Sequence, residues 1–409
     1  MADVSVLDVR LYDRSIGTIT LLPGDRVLFA FNDDYVADAA RPTLSLSYKD
    51  AFGALITDTK PTQTRLPPFF SNLLPEGAMR DYLADRASVN PAREFFLIWA
   101  LGLDLPGALT IKSVDGDTLP PARDDDGDYR RNDPTDEDAV LRFSLAGVQL
   151  KFSAVKQAAG GLTIPVEGIG GSWIVKLPSA THRGLPENGF AMMELARRIG
   201  IDVPETALVP LAKIKGLPSG IDAVGTDAFV IKRFDRPDTG GPIHIEDFAQ
   251  VFRLYPDDKY GKVSYRNIAQ VLWIETGEIG AAEFIRRLVF NALIGNGDMH
   301  AKNWSLIYPN RIHPQLSPAY DFISTIGYIP GDRLGLTFVD SKAFESLTLD
   351  QFTRFAAKAG LPKTLTLHTV KDTVTRFHEA WPRSNDLPIT SELRSIIDRH
   401  IVSLPISKI

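Results

Sequence analysis

The chain contains no cysteine, which excludes disulfides, thiolate nucleophiles and Cys-ligated zinc or iron–sulfur centres. Any bound metal must be held by oxygen or imidazole. No apolar run reaches the roughly eighteen residues that a membrane span requires. The opening Met1-Ala2-Asp3-Val4 carries neither the basic nor the apolar region of a signal peptide. The sequence therefore reads as cytoplasmic, with no membrane partner. At 409 residues and 44% apolar content, it is long enough for two or three packed units, each with its own core, and a single small domain is excluded.

The net charge of −6 is unevenly spread. The stretch from Asp115 to Asp138 carries ten acids against three arginines, so the rest of the chain is close to neutral. With little apolar side chain to offset ordering entropy, this stretch is expected to be a flexible connector. A calcium loop is the sharper alternative for Asp124-Asp125-Asp126-Gly127-Asp128. It fails because aligning Gly127 with the turn glycine puts Ala122, which has no oxygen ligand in its side chain, at the first ligand position.

Before the connector, Ile16 to Leu22 and Val27 to Phe31 flank Pro23-Gly24-Asp25 and predict a β-hairpin or meander. Asn72 to Gly77 predicts a turn that starts a helix, and Glu94 to Leu103 an apolar helix ended near Gly102. After the connector, strands are predicted around Gln149 to Val155 and Trp173 to Leu177. Met192, Leu195, Ala196 and Ile199 follow helical spacing ahead of a Gly200 cap. Ala228-Phe229-Val230-Ile231 reads as a buried strand. From Ile245 onward the pattern is mainly helical, and Phe284, Leu288, Val289, Ala292 and Leu293 form an apolar helix face. The divisions expected are 1–112, a connector over 113–140, a nucleotide-binding lobe over 141–244 and a catalytic lobe over 245–409.

That last helix face runs into Gly295-Asn296-Gly297-Asp298-Met299-His300-Ala301-Lys302-Asn303, followed later by Tyr320-Asp321-Phe322. Phosphoryl transfer needs this grouping: one carboxylate beside the attacking hydroxyl, an Asn five residues on that turns back to Mg²⁺, and a second Asp, expected on the next strand, between metal and phosphates. The glycines around Asn296 suit the unusual backbone such a loop requires. Each residue alone is an ordinary turn former; the order and spacing together make the case. His300 lacks partners at ligand spacing and reads as a loop-packing or hydrogen-bonding residue. Lys176, at the end of an apolar strand, is expected to face the α- and β-phosphates of ATP. Lys302 either neutralises the transferred phosphoryl group or is a solvated loop lysine.

These motifs resemble the HipA-type serine/threonine kinases. The likeness extends to Phe143-Ser144-Leu145-Ala146-Gly147-Val148-Gln149-Leu150-Lys151, similar to the family's Ser-containing glycine loop, and to Ile174-Val175-Lys176-Leu177-Pro178. It also covers the Arg233-Phe234-Asp235-Arg236 hinge, His244 to Phe248, and Phe69 to Gly77. The resemblance implies an α+β, protein-kinase-like two-lobed fold with an N-terminal α+β accessory subdomain and a mainly helical C-terminal lobe. It further implies catalysis by Asp298 and Lys302, Mg²⁺ on Asn303 and Asp321, and ATP surrounded by Ser144, Ala146, Gly147, Gln149, Lys151, Lys176, Lys232, Phe234 and His300. Ser144 would be an autophosphorylation site that acts as an off-switch. The implied partners are a HipB-like helix-turn-helix antitoxin, operator DNA through that antitoxin, and a protein substrate, with an aminoacyl-tRNA synthetase as candidate. Two features depart from the family pattern. Lys232 stands where an acid is frequent, and Gly189 interrupts the usual Glu-Asn-Glu, which leaves Glu187 and Glu194 as candidate partners for Lys176. A non-catalytic nucleotide-binding regulator and a small-molecule or lipid phosphotransferase remain as alternatives.

Overall fold

Period-two burial builds the first sheet: Leu7, Val9 and Leu11 of β1 (Val6–Leu11) all turn inward. It is a five-stranded antiparallel sheet in which β1 lies between β2 (Arg14–Leu22) and β5 (Leu109–Ser113), with β3 (Arg26–Phe31) and β4 (Thr62–Gln63) continuing outward. The expected hairpin is β2–β3. Two helices follow at the expected places, α1 (Gly77–Arg86) and α2 (Glu94–Leu101), the latter capped at Gly102. The computed structural model describes residues 5–87, 89–114, 151–156, 162–164, 171–217 and 221–409. The acidic stretch and Ser144, Ala146, Gly147 and Gln149 lie outside them. Among the described residues no helix is long and apolar enough to cross a membrane.

The second sheet has six strands in the order β10-β7-β6-β8-β11-β9. They are β6 (Lys151–Lys156), β7 (Leu162–Thr163), β8 (Trp173–Lys176), β9 (Thr206–Pro210), β10 (Ile214–Lys215) and β11 (Asp227–Lys232). Ala228 to Ile231 are all buried because β11 has a strand on each side and is covered on both faces. Helix α3 (Leu185–Arg198) covers it, with Gly200 at φ +87° just past its end. Gly189 has a packing reason here: a Cβ at that position would lie 3.1 Å from the Phe229 ring. The absent side chain lets helix and strand close on each other.

The remainder is mostly helical, as expected, around α4 (Tyr265–Leu293), α5 (Leu349–Ala359), α6 (Lys363–Ala380) and α7 (Ser391–Ser403). Gly277, at φ +63°, kinks α4, and the half after it carries the buried Phe284, Leu288, Val289, Ala292 and Leu293. A small antiparallel sheet not foreseen in the sequence, β12 (His244–Asp247), β13 (Ser305–Tyr308) and β14 (Gln315–Leu316), lies within this lobe.

The N-terminal unit is wedged against both lobes. Met79, Tyr82 and Leu83 of α1 join the core of the six-stranded sheet. At the seam with β12, buried Glu246 accepts hydrogen bonds from Ser45, from Leu46 N at 2.9 Å and from Tyr308, and burial pushes its pKa up to about 7. Gly107, at φ +76°, brings its backbone so close to His244 and Ile245 that a Cβ would lie 2.8 Å from each.

Candidate active site

The buried end of α4 delivers the chain into a loop held by amide side chains. Asn296, fully buried, donates to Asn291 Oδ1 at 2.8 Å and to the Asp321 carbonyl at 3.4 Å, while its own oxygen accepts from Asp298 N at 3.0 Å. One side chain thus ties the helix end, the predicted base and the predicted metal ligand together. Gly295 is needed for its φ of +66°, and Gly297 for clearance, since a Cβ there would lie 2.2 Å from Asp332 Oδ2. Asn303 closes the loop by donating Nδ2 to the Asp298 carbonyl at 2.7 Å. This leaves its amide oxygen as an acceptor.

Asp321 is not on a strand. It falls in irregular chain past β14, at φ +57°, a conformation costing a Cβ-bearing residue about 1–3 kcal/mol. Its neighbours hold it there: Phe322 is buried against Phe290, and Asn188 of α3 bonds both the N–H and the carbonyl of Ser324, at 3.1 and 2.9 Å.

Two lysines reach Asp321 from the other lobe. Lys151 and Lys176 are direct cross-strand partners on β6 and β8, an arrangement of like charges that is unfavourable by itself. One carboxylate bridges them: Asp321 Oδ2 accepts from Lys151 at 3.3 Å, and Oδ1 accepts from Lys176. Burial, then the adjacent Lys151 charge, hold the Lys176 pKa well below the ordinary lysine value, with Asp298 opposing. The acidic partner of Lys176 is therefore Asp321. Glu194 is instead engaged by Arg197 at 3.3 Å and Thr206 at 2.7 Å.

The other predicted residues divide. Phe234, half-buried, lies tilted against Tyr320 at 5.8 Å between ring centroids, while the Lys232 ammonium turns outward to Asp238 at 2.6 Å. His300 is buried, with its Nδ1 lacking a hydrogen-bond partner among the described residues. Burial, then the charges of Lys259 and Lys302, push its pKa down to about 2, so the ring is neutral. Lys302 is neither a solvated lysine nor loose near the phosphoryl position. Its ammonium donates to the carbonyl and side-chain oxygen of Asn72, both at 2.9 Å, and pairs with Asp247 at 3.3 Å and Glu76 at 3.5 Å. It ties the loop over 295–303 to the N-terminal unit. Asn296, Asn188 and Tyr260, whose hydroxyl donates to Asp298 Oδ1, were not legible as site residues. A lone Asn or Tyr carries no spacing signal, and their partners lie up to 140 residues away.

The donor set suits a hard cation flanked by phosphates. Asp321 and the Asn303 amide oxygen offer oxygen ligands only, which is what Mg²⁺ takes together with substrate phosphates. Lys151 and Lys176, brought side by side across two strands, supply the positive charge that a polyanion requires. Among the described residues no group of three or more His, Asp or Glu forms an all-protein metal cage.

Comparison with known proteins agrees along most of the chain. Residues 7–112 match the HipA N-terminal domain and residues 143–381 the HipA-like C-terminal domain. The chain is 55% identical to the Y4dM protein of Sinorhizobium fredii over 404 residues, covering 98% of this chain and 97% of the relative. It is 26% identical to the serine/threonine-protein kinase toxin HipA of Shewanella oneidensis, covering 93% of this chain and 89% of the relative. The fold is similar to that of Shewanella oneidensis HipA, solved in complex with HipB and operator DNA. There the TM-score is 0.73 at 21% identity, with 98% of this chain and 96% of that one covered.

Proposed function

The chain belongs to the HipA family, and we propose that it is a serine/threonine protein kinase that transfers the γ-phosphate of ATP to a protein hydroxyl. The observation that carries this reading is the pair of opposed lysines, Lys151 and Lys176, converging on Asp321 beside Asp298 and Asn303 at the junction of two lobes. Lys151 and Lys176 exchange the Asp321 carboxylate for nucleotide phosphates. Asp321 and Asn303 would hold Mg²⁺, whose chemistry there would be to neutralise charge on the nucleotide phosphates. Phe234 packs beside the adenine. The acceptor oxygen bonds to Pγ as the bond from Pγ to the bridging oxygen breaks and ADP leaves with that electron pair. Asp298 takes the acceptor's proton.

In the metal-free protein Asp321 competes with ATP for Lys151 and Lys176, so Asp321→Ala should bind ATP more tightly than wild type in EDTA. Adding Mg²⁺ should raise wild-type affinity several-fold and do much less for Asp321→Ala or Asn303→Ala. Calorimetric titration of the three proteins, with and without metal, checks this. Equal metal dependence in all three would contradict the assignment.

The regulatory setting proposed is cytoplasmic restraint by a HipB-like antitoxin that also bridges to operator DNA, with an aminoacyl-tRNA synthetase as candidate substrate. Ser144 is proposed as an autophosphorylation site. The resemblance puts Ser144 in the loop expected over the ATP phosphates, where a phosphate adding about −1.5 to −2 charge would block the nucleotide. After incubation with MgATP, mass spectrometry should find phosphate on Ser144 in the wild type and none in Asp298→Asn. Undiminished ATP binding by the phosphorylated form would refute the off-switch.

A further inference from the structure

Asp298 has four hydrogen-bonding groups, and three are committed. Its N–H donates to Asn296 Oδ1 at 3.0 Å, and its carbonyl accepts from Asn303 Nδ2 at 2.7 Å. Its Oδ1 accepts from the Tyr260 hydroxyl. Among the described residues Oδ2 receives no hydrogen bond, so it is the oxygen left for an acceptor hydroxyl.

Tyr260 is not part of the catalytic loop. It comes from the chain ahead of α4 and is fixed from several directions. Its ring meets His300 edge-on at 4.9 Å between centroids, and its carbonyl accepts from Lys342 Nζ at 3.0 Å. The preceding Lys259 accepts through its carbonyl from Ala301 N at 3.1 Å and pairs through its ammonium with Glu76 Oε2 at 2.7 Å. Glu76 stands at the start of α1 in the N-terminal unit. Burial and the Asp298 charge both raise the Tyr260 pKa, so the phenol keeps its proton and remains a donor. A continuous chain of contacts therefore runs from Glu76 through Lys259 and Tyr260 to the carboxylate of Asp298.

We infer that Tyr260 is a positioning residue of the phosphotransfer site: its hydroxyl pins Asp298 Oδ1 so that Oδ2 meets the acceptor hydroxyl, and Glu76 of the N-terminal unit holds Tyr260 through Lys259. The inference rests on the kinase reading above. It gives the N-terminal unit a direct part in aiming the base, beyond packing against the lobes. Tyr260→Phe keeps the ring on His300 and removes only the hydroxyl.

The test measures steady-state phosphotransfer, ATP affinity and melting temperature for the full chain. Tyr260→Phe should lower kcat about tenfold, the scale expected of a base held in the wrong rotamer, while the KM for ATP and the melting temperature stay at wild-type values. Glu76→Gln should lower kcat by a smaller factor, again without a change in KM for ATP. In an Asp298→Asn background, Tyr260→Phe should add no further loss, because Tyr260 acts through the carboxylate that is gone. Full activity in Tyr260→Phe, a matching loss of ATP affinity, or a loss that multiplies with Asp298→Asn overturns the role given to Tyr260. A wild type with no phosphotransfer overturns the kinase reading and this role with it, so the two failures are distinguishable.

Discussion

Replacing Asp298 by Asn is expected to slow phosphotransfer by about a hundredfold or more, the usual contribution of a positioned general base, while leaving the fold intact. The structure separates the two effects. The contacts that shape the loop use the backbone of Asp298, through Asn296 and Asn303, and an Asn there keeps both. The side chain's one hydrogen bond among the described residues comes from the Tyr260 hydroxyl, and an amide oxygen can still accept it. What is lost is the carboxylate oxygen proposed to take the acceptor's proton. Transfer from γ-labelled ATP, followed alongside circular dichroism and a melting curve, reads both quantities. Near-normal turnover would remove Asp298 from the mechanism, and a collapsed melting temperature would make its role structural.

The largest stability effect is expected at Asp235. It is buried at 4% exposure and accepts from Gly107 N at 2.9 Å, from Arg233 at 3.0 and 2.9 Å, and from Arg236 at 2.8 Å. Arg233 also pairs with Asp104 at 3.1 Å. Burial would raise the carboxyl pKa, but the two guanidiniums and the Gly107 N–H outweigh it and hold it below the ordinary value. Asp235→Ala leaves two partly buried guanidiniums sharing Asp104 as their remaining carboxylate and deprives the Gly107 N–H of its acceptor, so a loss of about 3–5 kcal/mol in denaturant unfolding is expected. The pH dependence has a definite sign. A depressed carboxyl contributes its stability in full above the unfolded-state pKa, and that contribution drains away as the pH falls toward the folded-state value. Asp235→Ala should therefore flatten the acid limb of the stability curve. A loss under about 1 kcal/mol would mean the pairs behave as surface ion pairs.

Both variants bear on how far the sequence could be read. The strands β2, β3 and β11, the helices α2 and α3 and the second half of α4 were legible because alternating, continuous-apolar and helical patterns are all local. The order Asp298, Asn303, Asp321 was legible because the three lie near enough in the sequence for their spacing to be read. The β12-β13-β14 sheet was not, since β14 has two residues and its pairing is fixed only by the surrounding tertiary packing. Nor was the role of Lys302. Spacing put it in the loop expected to be catalytic, but its partner Asn72 lies 230 residues away, and nothing in a single sequence links two such positions. The Phe69 to Gly77 motif was visible as a resemblance, whereas its use as a clamp on Lys259 and Lys302 emerges only when the chain is folded. The same holds for Asp321, whose left-handed backbone depends on Asn296, Asn188 and Phe290.

The most direct measurement is incubation of the wild-type protein and Asp298→Asn with bacterial lysate, Mg²⁺ and γ-labelled ATP, followed by identification of what carries the label. The account predicts label on serine or threonine of one or a few discrete proteins with the wild type and none above background with the variant. Label found only in small metabolites or inorganic phosphate, or equal protein labelling by both, would contradict it.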